Sequence, residues 1–366
     1  MAVLETLLRE RDLLPVMQMK DGRPVTKESW EERRREMREL LETYSYGRTP
    51  RCEVSVKGAV YARGTYHCAG KCTEEMVMLT YTTEHGTGQF PIQIFTPTRR
   101  KHPPVLLHIA FGLAPHKYAV VEEIIDAGYA LVQVDYRDMV NDNHHGDFSG
   151  GIAAHFGTTA DRAPDEWGKI GMWAWGTSRV LDYLIAQRPD LDTGRVAVIG
   201  HSRLGKTALW CAAQDERFAV AISNDSGYGG AATSKHGNGE RVDDFLHVGS
   251  WDWYCESFKQ FRGELEDAKP YDQSFLLALI APRYMAVGSA ELDFSADPPS
   301  EFLTTLHASA AWELHGERGL VTPDEMPAPG TYLGDGKILY HYRHGAHYLS
   351  REDFAAYLKF LDEKLK

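Results

Sequence analysis

Residues 196–206 read Val-Ala-Val-Ile-Gly-His-Ser-Arg-Leu-Gly-Lys, and no other stretch limits so tightly what this chain can fold into. Val196, Ala197, Val198 and Ile199 make a short apolar run of the kind that fills a buried strand. Gly200-His201-Ser202 interrupts it, and a helix-forming stretch begins at once through Leu204, Lys206, Ala208, Leu209 and Trp210. A serine at such a turn has its hydroxyl lifted above the sheet edge, and the free N–H groups of the helix N-terminus face an incoming oxyanion. The spacing is Gly-x-Ser-x-x-Gly, one residue wider than the commoner Gly-x-Ser-x-Gly. The short motif alone therefore also fits a plain turn that happens to contain serine.

The 366 residues leave room for one large domain or two ordinary ones. A hydrophobic content of 43% with 25% charged residues is that of a soluble globular protein. The net charge of −12 and the lack of a basic stripe argue against nucleic acid as a partner. The first residues lack a basic segment leading into an apolar core, and no run of about 18 apolar residues occurs. The expectation is a cytoplasmic protein with neither signal peptide nor membrane span. The cysteines (Cys52, Cys68, Cys72, Cys211, Cys255) are odd in number and scattered, which suits a reducing compartment. Cys68-x-x-x-Cys72 lacks a second pair to complete a metal site, and no cofactor is expected. Oligomeric state is left open.

Along the chain, Ser29-x-x-Glu32 reads as a capping box ahead of a helix through Trp30, Met37, Leu40, Leu41 and Tyr44, stopped by Gly47. From 52 to 96 the pattern becomes short β-type runs (54–61, 76–82, 90–95) broken by glycine, an antiparallel meander. Strands and helices then alternate: strands at 105–110, 130–134, 196–199, 218–222, 284–287 and 338–342, with helices at 118–127, 167–187, after Ser202, and 354–365. Alternation of this kind predicts an α/β fold, a mostly parallel central sheet inside an αβα sandwich. Residues 1–100 are expected to form an N-terminal helix and strand extension packed on a catalytic domain of residues 101–366. Two long irregular stretches, 135–166 and 224–272, follow strand C-termini, where ligands sit in such sheets. The second carries Trp251, Trp253, Tyr254 and Phe258; they either pack the loop down or offer a platform to a sugar ring.

A serine nucleophile needs a base, and the base an orienting acid. In the α/β-hydrolase fold the order is Ser, acid, His. The last strand runs into His344-Gly345-Ala346-His347, and His347, after the glycine turn, is the preferred base over His344 and the in-strand His341. The penultimate strand leads to Asp293, the best-placed acid, while Glu291 and Asp297 read as solvated or capping groups. Asp225, just past strand 218–222, is the second candidate. Gly112 and Leu113, after the strand ending at Phe111, are expected on the oxyanion side. A metal-dependent alternative would rest on His144-His145-x-Asp147, for which no further ligand is identifiable.

With these residues in hand the chain resembles the glucuronoyl esterases, carbohydrate esterase family fifteen. The resemblance rests on Pro164-Asp-Glu-Trp-Gly-Lys-Ile-Gly-Met-Trp-Ala-Trp-Gly, the Gly-His-Ser-Arg-Leu-Gly-Lys turn, Ser223-Asn-Asp-Ser-Gly-Tyr-Gly-Gly-Ala-Ala, Asp272-Gln-Ser-Phe-Leu-Leu-Ala-Leu-Ile-Ala-Pro-Arg and Ala296-Asp-Pro. It implies an α/β-hydrolase fold and cleavage of esters of glucuronic or 4-O-methyl-glucuronic acid. Ser202 would be the nucleophile and His347 the base, with the acid at the position of Asp225, of Asp293, or carboxylates at both. It further implies an oxyanion contact from Arg203, a sugar-hydroxyl contact from Lys206, and substrate contacts from Glu240, Trp253 and Phe294. Phe294 stands where family members often carry Trp. The partner implied is a small-molecule or oligosaccharide ester, imported if the chain is intracellular. The alternatives are an acetyl esterase on xylan-type oligosaccharides and a catalytically silent sugar-binding fold.

Overall fold

The structure, a computed structural model, describes residues 3–64 and 67–365. Its strands are β1 (Ser55–Gly64), β2 (Cys72–Thr83), β3 (Gly86–Pro97), β4 (Pro104–Ala110), β5 (Ala130–Asp135), β6 (Asp192–His201), β7 (Val220–Asn224), β8 (Tyr284–Ala290), β9 (Thr331–Leu333) and β10 (Ile338–Arg343). They form one sheet in the order β1-β2-β3-β5-β4-β6-β7-β8-β10-β9. The meander β1-β2-β3 joins antiparallel to β5 through pairs such as Ile94 with Val132. From β5 to β10 the strands run parallel, and β9 adds an antiparallel edge.

The parallel strands lack polar alternation because both of their faces are covered. Every residue of β4, β5 and β7 is buried. Leu106, Leu131, Ile199 and Ile222 turn to one face, where they meet Ile124, Phe354, Tyr357 and Leu361. Leu107, Val132, Val198 and Ala221 turn to the other, where helices Lys169–Gln187 and Arg203–Gln214 bring Trp173, Leu204, Ala208 and Trp210. This is the expected αβα sandwich. Among the described residues no helix is long and apolar enough to cross a membrane.

Several local readings change. Helix Trp30–Tyr44 forms, but Ser29 does not cap it. Its φ of −94° and ψ of 0° are not the extended values a cap needs, and its hydroxyl instead accepts from Thr26 N at 2.9 Å. The helix expected over 118–127 shortens to Val121–Asp126, because a turn closed by Ala119 N on His116 O holds the preceding residues out. Strand β9 is too short to show a period. The two irregular stretches contain short helices, Tyr136–Met139, Gly151–His155 and Val242–His247, and the second adds 3₁₀ turns. There Tyr254 and Phe258 are buried and stacked 4.1 Å apart, so these two pack the loop down.

The wide glycine spacing of the serine turn has a packing cause. A Cβ on Gly200 would come within 1.9 Å of Leu204 O, and one on Gly205 within 3.0 Å of both Ser223 Oγ and Ser226 Cβ. One glycine lets the helix fold back onto its strand; the other lets it pass the end of β7. Gly200→Ala is expected to destabilise the protein by about 1–3 kcal/mol, as overpacking does, read as a lower urea midpoint at unchanged slope.

Candidate active site

Ser202 sits between β6 and helix Arg203–Gln214 with φ 58° and ψ −129°, a backbone that only a tight surrounding structure sustains. Its N–H donates to Asn224 O at 2.9 Å, so the turn is stitched to the end of β7. In parallel register His201 lies opposite Asn224, Asn224 opposite Gly288, and Gly288 opposite His341. β6 and β7 end at this level and β8 and β10 run two residues further, to Ala290 and Arg343, so the segments after all four leave the same end of the sheet and converge there.

The convergence brings together Ser202, His347, Asp293 and Asp225. His347 Nδ1 lies 2.5 Å from Asp293 Oδ2. A carboxylate only accepts, so Nδ1 carries the proton of this bond, and in the neutral ring the lone pair is on Nε2. Asp293 is buried and also accepts from Ala296 N at 3.3 Å. Asp225 is buried at φ 45° and accepts from Tyr348 N at 3.3 Å and from Arg343 at 3.1 Å. Burial, and then the nearby Glu301 carboxyl, pushes the Asp225 carboxyl well above the usual range, against the pull of Arg343. One donor atom each of Asp225, Asp293 and His347 falls within 4.8 Å of the others. Within this group Asp225 Oδ2 accepts from a guanidinium and Asp293 Oδ2 from the imidazole. His144, His145 and Asp147 form no such group among the described residues.

The rival histidines are directed elsewhere. His344 is exposed and pairs with Glu291 at 2.8 Å, and His341 is buried 3.5 Å from Asp353. Asp297 caps helix Pro298–Ala308, as a structural reading of it predicts. His201 packs its ring 4.5 Å from that of His347 and donates from Nδ1 to Asn224 Oδ1 at 2.8 Å. Burial, and then His347, pushes His201 down to about 3, so it stays neutral beside the site.

Two adjoining hollows serve this centre. A cleft of about 340 Å³ is lined by Ser202, Arg203, His347, His201, Phe111 and Tyr118, with His116 and Lys117. Its far wall is thus Phe111 and residues 116–118 rather than Gly112 and Leu113. A second hollow of about 400 Å³ has Glu240, Phe245, Trp253 and Phe294 in its wall, and Phe294 is 74% exposed. The two meet where the Arg203 guanidinium lies 4.3 Å over the Trp253 ring. Lys206 departs from expectation. It is buried, and its ammonium donates to Ser226 O and Tyr228 O, both at 2.7 Å, and to Glu240 Oε2 at 3.0 Å. With its three protons engaged, Lys206 reaches the second hollow only through Glu240. A larger cavity of about 640 Å³, against Leu7, His236, Pro298 and Tyr340, contains none of these groups.

A family profile described as "Glucuronyl esterase, fungi" matches residues 79–316. A carbohydrate esterase of an unknown prokaryotic organism is 32% identical over 95% of this chain and 88% of its own length. The chain belongs to the glucuronoyl esterase family. A 4-O-methyl-glucuronoyl methylesterase of Cerrena unicolor is 27% identical over 79% of this chain and 58% of its own length. The solved glucuronoyl esterase of Solibacter usitatus shares 33% identity at a TM-score of 0.86, covering 96% of this chain and 97% of that one. The corresponding Teredinibacter turnerae enzyme shares 25% at 0.85, covering 98% and 90%. This glucuronoyl esterase family member is a carboxylic-ester hydrolase of the α/β-hydrolase fold.

Sequence reasoning missed Glu301. This fully buried carboxyl of the esterase accepts from Ser226 N and Gly227 N, both at 2.9 Å, and from Ser289 Oγ at 2.5 Å, and so fixes the loop that carries Asp225. Only the buried face of helix Pro298–Ala308 hinted at it. Burial raises its carboxyl from an ordinary 4.5 to about 8, despite those bonds. The folded state therefore holds a proton that the unfolded state releases above about 4.5, and this contribution weakens as pH rises from 4.5 towards 8. Glu301→Gln imitates the protonated group. The stability of wild type relative to Glu301→Gln is expected to fall across that interval, measured by urea unfolding at several pH values.

Proposed function

We propose that this esterase hydrolyses esters of glucuronic or 4-O-methyl-glucuronic acid through an acyl-enzyme on Ser202. The observation that carries the reading is the His347–Asp293 hydrogen bond beside Ser202, in a cleft that adjoins a second hollow edged by a carboxylate and two aromatic rings. His347 Nε2 takes the hydroxyl proton as Ser202 Oγ attacks the uronate carbonyl carbon, and Asp293 steadies the imidazolium. The oxyanion meets the N–H of Arg203, which has no intrahelical partner at the helix start, and the Arg203 guanidinium. Collapse of the tetrahedral intermediate breaks the ester C–O bond, and His347 gives its proton to the departing alcohol. Water, deprotonated by His347, then attacks the acyl-enzyme and releases the uronic acid. Glu240, held by Lys206, accepts from sugar hydroxyls, while Trp253 and Phe294 flank the ring.

The names of the relatives, 4-O-methyl-glucuronoyl methylesterase among them, support this substrate class. Benzyl glucuronate and an acetylated xylo-oligosaccharide, offered in parallel to wild type and Ser202→Ala, test it. The expected result is Ser202-dependent release of benzyl alcohol with little acetate. Acetate release alone would retain the nucleophile and overturn the substrate. The same assay decides the acid: Asp293→Asn is expected to lower kcat by about 10⁴-fold, the loss seen when a base is no longer held in its working tautomer. Asp225→Asn is expected to keep most of the activity, and the reverse ranking would exchange their roles.

A further inference from the structure

Arg343 ends β10, one residue before the loop that carries His347, and its side chain is buried. Its guanidinium has five N–H donors in a rigid fork. Nε faces both oxygens of Asp353, at 3.0 and 2.8 Å. Nη1 donates to His344 O at 2.9 Å. Nη2 faces Ala346 O at 3.0 Å, Tyr348 O, and Asp225 Oδ2 at 3.1 Å. The carbonyls of the residues immediately before and after His347 are thus both held by one nitrogen. Asp353 in turn accepts from Ser350 N at 2.7 Å and lies in helix Arg351–Leu365, so the same fork anchors the loop to the closing helix. Asp225 accepts both from Arg343 and from Tyr348 N, which ties the loop to the end of β7.

We propose that Arg343 is the positioning residue of His347: one guanidinium fixes the main chain on both sides of the imidazole against β7 and the closing helix, and engages Asp225 so that Asp293 is left to orient the ring. The inference rests on reading His347 as the base. Elsewhere the loop is tied through Gly345 O to Leu292 N at 2.9 Å, through His344 Nδ1 to Glu291 at 2.8 Å and through the Tyr348 hydroxyl to Lys117 O at 3.2 Å, while the Ala346 and Tyr348 carbonyls go to Arg343. The His347 imidazole is 43% exposed and the turn passes through Gly345 at φ 100°. A base on a short exposed turn wanders unless its backbone is tied, and a displacement of about 1 Å costs on the order of 10²-fold in rate. Lysine cannot replace this arrangement: three protons on a flexible stem cannot serve two carboxylates and three carbonyls at once.

The test uses the full chain with Arg343→Lys and Arg343→Met, beside Ser202→Ala and Asp293→Asn. The Ser202→Ala comparison on benzyl glucuronate settles the underlying reading separately. Arg343→Lys is expected to lower kcat by about 10²-fold with KM unchanged, the split that marks lost positioning and not lost binding. The proton between His347 Nδ1 and Asp293 is expected to give a far-downfield NMR signal in wild type, which Asp293→Asn would identify by removing it. That signal is expected to broaden or vanish in Arg343→Lys while the remaining spectrum and cooperative melting persist. Lysine keeps a positive charge between the two buried carboxylates, so it carries the test should Arg343→Met fail to fold. Wild-type kcat in Arg343→Lys with the downfield signal intact, or a rise in KM alone, would overturn the proposal.

Discussion

The common register of four parallel strands is the constraint on which the site depends. His201, Asn224, Gly288 and His341 stand opposite one another across β6, β7, β8 and β10. A slip of one residue in any of these pairings would carry the following segment about 3.3 Å along the strand and turn its side chains to the other face. Ser202 and His347 are far apart in the chain, yet each lies only a few residues beyond its strand. Their meeting is a property of the sheet, and the main-chain bond from Asp225 N to Gly288 O continues the ladder past the formal end of β7. The inward apolar rows that hold the strands in register also aim the chemistry.

A second constraint is charge. Asp225, Asp293, Glu301 and Asp353 all lie buried beneath one cleft, and a buried carboxylate is costly unless something answers it. Each is answered differently. Asp293 has the imidazole, Glu301 has backbone N–H groups and the Ser289 hydroxyl, and Asp353 shares Arg343 with Asp225. Glu301 is answered by dipoles and not by a cation, and burial accordingly drives it towards protonation. Asp353 keeps its proton off: the cost of burial is outweighed by the nearby His341 ring, the Arg343 charge and the Ser350 bonds. Asp293 and Glu301 are the two of the group that no full cation holds, and of these Asp293 contacts His347.

What could be read from the chain divides along the same line. Ser202 announces itself because strand, glycine and helix are contiguous, and His347 and Asp293 follow from the order of strands. Arg343 and Glu301 carry no such mark, since their meaning lies in partners 118 and 75 residues away. Lys206 shows the limit of spacing arguments. One helical turn after Ser202 is the right side of the helix, but the side chain is long enough for the carbonyls of Ser226 and Tyr228 to decide where its ammonium ends. The capping reading at Ser29 fails for a related reason: the residue types are right and the backbone angles are not. The turn around His116 brings residues 116–118, and not Gly112 and Leu113, to the cleft beside Phe111, a fold-back that strand order alone does not reveal.

The join between the two hollows shows how binding and chemistry can act on each other here. Asp142 accepts from Trp253 Nε1 at 2.9 Å with one oxygen and pairs with Arg203 at 2.7 Å with the other. Lys169, buried 3.6 Å away and paired with Asp252 at 2.7 Å, keeps that carboxylate in place. The arginine proposed for the oxyanion therefore lies flat against an aromatic wall of the proposed sugar hollow and shares a counter-ion with it. A ring pressed against Trp253 would bear on the same carboxylate that aims Arg203 at the ester carbon. Binding energy from the part of the substrate that does not react is then available to align the group that stabilises the transition state, which is where such energy accelerates a reaction. Family membership alone does not imply this coupling. It follows from one aspartate on the loop after β5 having its two oxygens bonded to residues that wall different hollows.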